Sequence, residues 1–322
     1  MRNIILSAVA LASILAASAP AQALNTKSYV SNTGNDANNC ASVATACASF
    51  QHAQNQTTPG GEITVVNTGS YGAVTFSQSV HITNDGAGEA SIIAPASIGL
   101  LISAGVGDVI SVRGLVIDGQ FNGFAGILIS AASAVHIQNC VIRNFQAMGA
   151  FGIELLGTKN AQLFVSDTII FNNGSNVGSG GLLIEPSGTL NSFNVVLDRI
   201  NLENNVVGLL VNGSQSTGNG AHVIIRDSVV SGNASDGIRA LSAPGKAPAF
   251  VLVEHTTSVN NAGTGILANG PHATMLLDDN TIARNGVGIS AVNSGQLISY
   301  GNNKVNNNLG PDGVPTGSYS PI

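Results

Sequence analysis

The stretch LLDDNTIARNGVGI, residues 276–289, places two adjacent carboxylates, Asp278 and Asp279, in a chain that is only 9% charged. Such a pair can serve acid–base chemistry, hold a cation, or belong to a scaffold. Comparison with the rest of the chain decides among these. The same pattern recurs as VHIQNCVIRN, LFVSDTIIFNN, VVLDRINLENN, VIIRDSVVSGN, VLVEHTTSVNN and ISYGNNKVNNN. One column reads Asn139, Asp167, Arg199, Asp227, His255, Asp279 and Asn302, with members 23 to 32 residues apart. Six positions later stands a column of asparagines, Asn173, Asn205, Asn233, Asn261, Asn285 and Asn308. A glycine followed by an aliphatic residue comes next, from Gly126-Ile127 to Gly288-Ile289.

A period in this range indicates a solenoid or a propeller. Each repeat holds three short apolar runs, for example Val195–Leu197, Ile200–Leu202 and Leu209–Val211. None shows a sustained helical period. Propeller blades need about 40 residues and antiparallel hairpins. Three strands per short repeat fit a parallel β-helix, in which each coil adds one strand to each of three parallel sheets. The asparagine column suits a tight left-handed corner, and stacked amides can exchange hydrogen bonds along the axis.

This pattern resembles the right-handed parallel β-helix proteins of the pectate-lyase-like superfamily. Residues 279–289 look like its short repeat, and YVSNTGNDANN (29–39) with PGGEITVVNTGSYG (59–72) is similar to its entry segment. The resemblance implies an all-β, right-handed, three-sheet parallel β-helix with a short N-terminal cap helix. It says little about activity, because the scaffold carries lyases, hydrolases, epimerases and non-enzymatic surface proteins. The Gly-His-Gly and Arg-x-Lys elements of polygalacturonase-like hydrolases are missing, as are the Asp-Pro-His of alginate epimerases and the basic cluster of pectate lyases.

The first residues, MRNIILSAVALASILAASAPAQA, have a basic start, an apolar run and a small-residue cleavage site. They read as a secretory signal peptide over 1–23 and predict a secreted or periplasmic protein. The expected division is a cap segment over 24–60, the β-helix over 61–308 and a tail over 309–322. Ser42–Gln54 is the expected cap helix, tied down by a Cys40–Cys47 disulfide. With a net charge of −6 and only 11 basic residues, the chain is a poor nucleic-acid binder. No later stretch is long and apolar enough to span a bilayer.

Alternation along the first strand of each repeat sends Phe164, Val196, Ile224, Leu252 and Leu276 outward as an apolar stripe, between His136 and Ser299. Loops 184–194 and 212–222 are expected to cover it; left bare, it would be a self-association surface. Glu154 and Arg239 stand among aliphatics on the third strand and are expected as solvated surface charges. Cys140 falls in an inward column with Thr168, Ile200, Ser228 and Thr256, as an inert thiol. The histidines show no zinc spacing.

Asp198, Arg226, Glu254 and Asp278 form a column whose charge alternates until its last step. There Glu254, Asp278 and Asp279 gather three carboxylates, a candidate weak site for Ca²⁺. No cofactor is required. The leading functional expectation is non-catalytic binding of a polysaccharide or an envelope protein. The alternatives are a polysaccharide lyase, hydrolase or epimerase with an atypical site, and a self-associating structural protein or adhesin.

Overall fold

A computed structural model describes residues 24–157, 159–189 and 191–319. The segment read as a signal peptide lies outside the described residues. Three parallel sheets of twelve, ten and nine strands, here sheets A, B and C, wrap one continuous core. One coil comprises Ser192–Asp198 in sheet A, Asn201–Glu203 in sheet B and Val207–Asn212 in sheet C. Each strand pairs in parallel with its counterpart one coil on, as Val195 does with Val223 and Leu202 with Val230. Inward residues therefore stack on chemical equals: Leu163, Val195, Val223, Val251, Met275 and Leu297 form one fully buried file. Each such side chain contributes on the order of 2 kcal/mol by leaving water.

Both corners that flank sheet B use left-handed backbone. At the first, Asn139, Asp167, Arg199, Asp227, His255 and Asp279 have φ between 46° and 52°. At the second, the left-handed residues are Asn144, Asn172, Asn204, Gly232, Asn260, Arg284 and Asn307. These stand immediately before the asparagine column, which corrects the corner role expected for it. The column turns inward instead, and Asn173, Asn205, Asn233, Asn261 and Asn285 are buried. The Asn233 Oδ1 accepts the Asn205 N–H, and its Nδ2 donates to the Leu202 carbonyl and to Asn261 Oδ1. An amide is the one neutral side chain that offers donor and acceptor at this reach. The glycine column runs alongside. A Cβ on Gly208 would sit 2.5 Å from the Gly237 carbonyl oxygen and 3.1 Å from Asn233 Nδ2. No larger residue fits without moving a coil.

The cap helix, Phe50–Gln56, is shorter and later than expected. Cys40 and Cys47 are disulfide-bonded with their Cα atoms 5.1 Å apart. Cys47 exchanges backbone hydrogen bonds with Tyr29 and Ser31, so the chain before Ser49 is held as an extra strand-like rung and only Val43–Thr45 turns helically. Ser49 then caps the helix by accepting the His52 N–H, and Phe50 and Ala53 close the first coil. Sheet A begins at Asn25–Val30, within the cap segment, and ends at Gly317–Ser318, within the tail. The Pro311 and Asp312 carbonyls accept from Gly288 and Ile289 and cover the last edge of sheet C.

Candidate functional face on sheet A

Sheet A is the longest sheet, and alternate residues of its strands face solvent. Its middle outward column reads Lys27, Glu62, His81, Ser111, His136 and Phe164 over the first coils. The five polar rungs from Lys27 to His136, about 4.8 Å apart, make a track roughly 19 Å long that leads onto Phe164. Lys27 Nζ lies 3.2 Å from Glu62 Oε1, and the Thr64 hydroxyl donates to the same oxygen at 2.7 Å. That hydroxyl and, after the opposing effect of burial, Lys27 hold the Glu62 carboxyl below its ordinary range. His136 stacks on Phe164, with ring centroids 4.7 Å apart and planes 8° from parallel. Partial burial, with a smaller repulsion from His81, lowers the His136 pKa. It is therefore mainly neutral at pH 7 and can donate or accept. Beside this track Arg113 pairs with Asp85 at 3.0 Å.

From Phe164 onward the same column is apolar through Val196, Ile224, Leu252 and Leu276. Its next member is Ile298, which replaces Ser299 in the expected order. Four positions separate Leu277 from Thr281, whereas five separate their partners Ser299 and Lys304. The extra residue at that corner shifts the strand by one, and Ser299 turns inward, 6% exposed. Among the described residues, the expected loop cover is absent as well. Segments 184–194 and 212–222 run largely as strands and corners of the solenoid, and Ile224 remains 36% exposed.

The charged columns lie along the edge of this face. Arg199 grips Asp167 through Nε at 2.8 Å and Nη2 at 3.0 Å, and also contacts Asp198. Arg226 reaches back to Asp198 at 2.9 Å. Arg199 lowers the Asp167 pKa, chiefly by hydrogen bonding. Glu254 and Asp278 are register partners. The carboxylates of Glu254, Asp278 and Asp279 do not, however, converge within 4.8 Å of one another. His255 stands between them, 3.8 Å from Glu254 and 3.6 Å from Asp279. Asn302 donates to Asp278 at 2.7 Å, and Lys304 lies 4.0 Å from Asp279. Among the described residues, only Cys40, Cys47 and His52 cluster at ligand distance, and both sulfurs are in the disulfide.

The outer face of sheet C departs from expectation. Leu183 and Leu210 are buried there in a small apolar cluster with Phe151 and Val207. Glu154 pairs with Leu183, and burial pushes its carboxyl up to about 7, with the Glu185 charge adding to the effect. It is not a freely solvated charge. Arg239 is bound to the buried Asp236. Cys140 is buried, its thiol pushed by burial to about 11.

A family model described as a right-handed β-helix region matches residues 207–317. No curated protein sequence matches the chain significantly. Among solved structures the chain is similar to a pectate lyase, at 16% identity and TM-score 0.60, over 91% of this chain and 80% of that one. It is also similar to an alginate lyase from Paenibacillus sp., at 12% identity and TM-score 0.56, over 91% of this chain and 98% of that one. At these identities the likeness is one of fold. Together with the topology it establishes a right-handed, three-sheet parallel β-helix. Among the described residues, no helix is long and apolar enough to cross a membrane.

Proposed function

We propose that this right-handed β-helix protein acts at the cell envelope or outside the cell, where it binds an extended carbohydrate polymer along the outer face of sheet A without cleaving it. The observation that carries this reading is the column from Lys27 to Phe164. It offers a linear row of hydrogen-bonding side chains that ends on the stacked rings of His136 and Phe164. A sugar chain presents hydroxyls at its edges and C–H groups on its ring faces, so it matches such a row in both respects. Glu62 is committed to Lys27 and Thr64, and Arg113 to Asp85. Neither is set as a free acid or base beside a histidine, which favours binding over turnover. The fold shared with lyases of pectate and alginate supports a carbohydrate ligand by analogy. The leader-like residues 1–23 support the location.

Affinity electrophoresis of the purified protein through a panel of neutral and acidic polysaccharides tests the reading. Retardation by at least one polymer, weakened about tenfold in the double variant His136→Ala/Phe164→Ala, is the expected result; two such contacts are worth about 1.4 kcal/mol or more. No retardation by any polymer would remove the binding reading. New reducing ends, or ultraviolet absorbance from unsaturated ends, would replace it with catalysis.

A further inference from the structure

We infer that the apolar half of sheet A is the contact face of a homodimer, in which a second copy lies antiparallel across the first. The stripe from Phe164 to Ile298 crosses six strands, so it is about 24 Å long. With the outward residues on either side it covers on the order of 500 Å² per copy, or about 1,000 Å² for a pair, which meets the lower limit for a specific interface. Of its members Ile224 is exposed and the others are half-buried, and outward-facing hydrocarbon of this extent, bordered by polar rows, is the usual signature of a contact surface.

The flanking residues select the occupant. Consider a two-fold axis parallel to the strands, passing between Gly220–Arg226 and Ala249–Glu254. It places Ile224 on the partner's Leu252, Val196 on the partner's Leu276 and Phe164 on the partner's Ile298. In the neighbouring charged column it sets Arg226 against the partner's Glu254, twice by symmetry. Arg226 is half exposed and binds only backward, to Asp198. Among the described residues, Glu254 has no lysine or arginine within ion-pair distance, and the His255 ring lies 3.8 Å away. Each therefore has capacity for the other. On the opposite flank His222 and Phe250, with ring centroids 6.0 Å apart, meet their own symmetry mates as a four-ring cluster. The one like-charged encounter is Asp198 with the partner's Asp278. Asp198 is already held by Arg199 and Arg226, and Asp278 by the Asn302 amide. An axis along the solenoid would instead set the charged column against Asn194, His222, Phe250 and Thr274, which include no carboxylate, lysine or arginine. Charge matching therefore selects a second copy of this chain, coil order reversed. Alternating charges along one edge are self-complementary only under that reversal.

The test is light scattering on the full chain over a wide concentration range, with circular dichroism and melting temperature as folding controls. The wild type is expected to pass from monomer to dimer in a concentration-dependent way, and Ile224→Lys to raise the dissociation constant at least tenfold. Arg226→Glu and Glu254→Arg should each weaken self-association, because like charges then meet across the axis. Mixed in equal amounts, the two variants should associate again as a heterodimer. A wild type that stays monomeric to near-millimolar concentration overturns the proposal. So does a dimer indifferent to Ile224→Lys, or a pair of charge variants that mixing does not rescue. Polysaccharide retention read in the single variant His136→Ala, which leaves the stripe from Phe164 to Ile298 intact, is a separate measurement, so either reading can fail without the other.

Discussion

At the scale of single residues, the informative side chains are those whose surroundings contradict their chemistry. Glu154 is the clearest. Its folded pKa of about 7 exceeds the ordinary 4.5, because burial among leucines disfavours the anion. The neutral carboxyl is what the fold accommodates. The contribution of Glu154 to stability is therefore most favourable below about pH 4.5, falls as pH rises toward 7, and stays low above it. Glu154→Gln removes the titration. The variant is expected to match the wild type near pH 4 and to exceed it at pH 8 by roughly 2–3 kcal/mol in urea unfolding. Parallel stability curves for the two proteins would show that the site is wetter than the fold indicates. Position in the repeat made Glu154 legible as an outward residue. Its burial was not legible, because that depends on Phe151 and the leucines of neighbouring coils closing around it. The left-handed φ of Arg199, His255 and Arg284 was equally hidden, since neither arginine nor histidine advertises it as glycine would.

At the scale of elements, the ladder and the corners set the register. Each ladder asparagine ties three successive coils, so its loss strands groups that its neighbours cannot satisfy. Asn233→Ala would leave the Asn205 N–H and the Leu202 carbonyl without their side-chain partner in a dry interior. We expect a loss of about 2–4 kcal/mol in chemical unfolding. A loss below about 0.5 kcal/mol, the scale of an unremarkable surface change, would mean that water or a neighbour takes over. The later coils were legible because their asparagine and glycine columns aligned them without a structure. Where a corner gains a residue, as between Ser299 and Lys304, the alignment slips by one and every side chain beyond it changes face. The first coils lack those columns, and their outward residues Glu62, His81, Ser111 and His136 are spaced 19, 30 and 25 residues apart. The polar track on sheet A could therefore be assembled only from strand pairing.

At the scale of the whole molecule, a parallel solenoid has two ends and must close both, or its unpaired strands invite other chains. The helix Phe50–Gln56 and the disulfide close the first end. The second is closed by chain that looks irregular in sequence: Pro311 and Asp312 accept from sheet C, and Gly317–Ser318 pairs with sheet A. Truncation after Asn308 is expected to speed amide hydrogen exchange over Val287–Ser299 by at least tenfold and to promote aggregation on mild heating. Unchanged exchange there would show that the tail is dispensable. The wrapped core itself should be little affected, because each coil contacts only its neighbours.

The asparagine ladder also bears on how such a molecule can change size. Each rung recognises the rung before and the rung after, and nothing in it records how many rungs there are. Residues 206–233 carry one full rung of every column, and Asn261 offers Asn233 the same acceptor that Asn233 offers Asn205. Duplication or in-frame loss of such a unit would leave every ladder hydrogen bond with a partner of the same kind. The outer face of sheet A would lengthen or shorten by about 4.8 Å with each event. In this architecture, the reach of a surface is a count of copies, adjustable independently of the chemistry displayed on it.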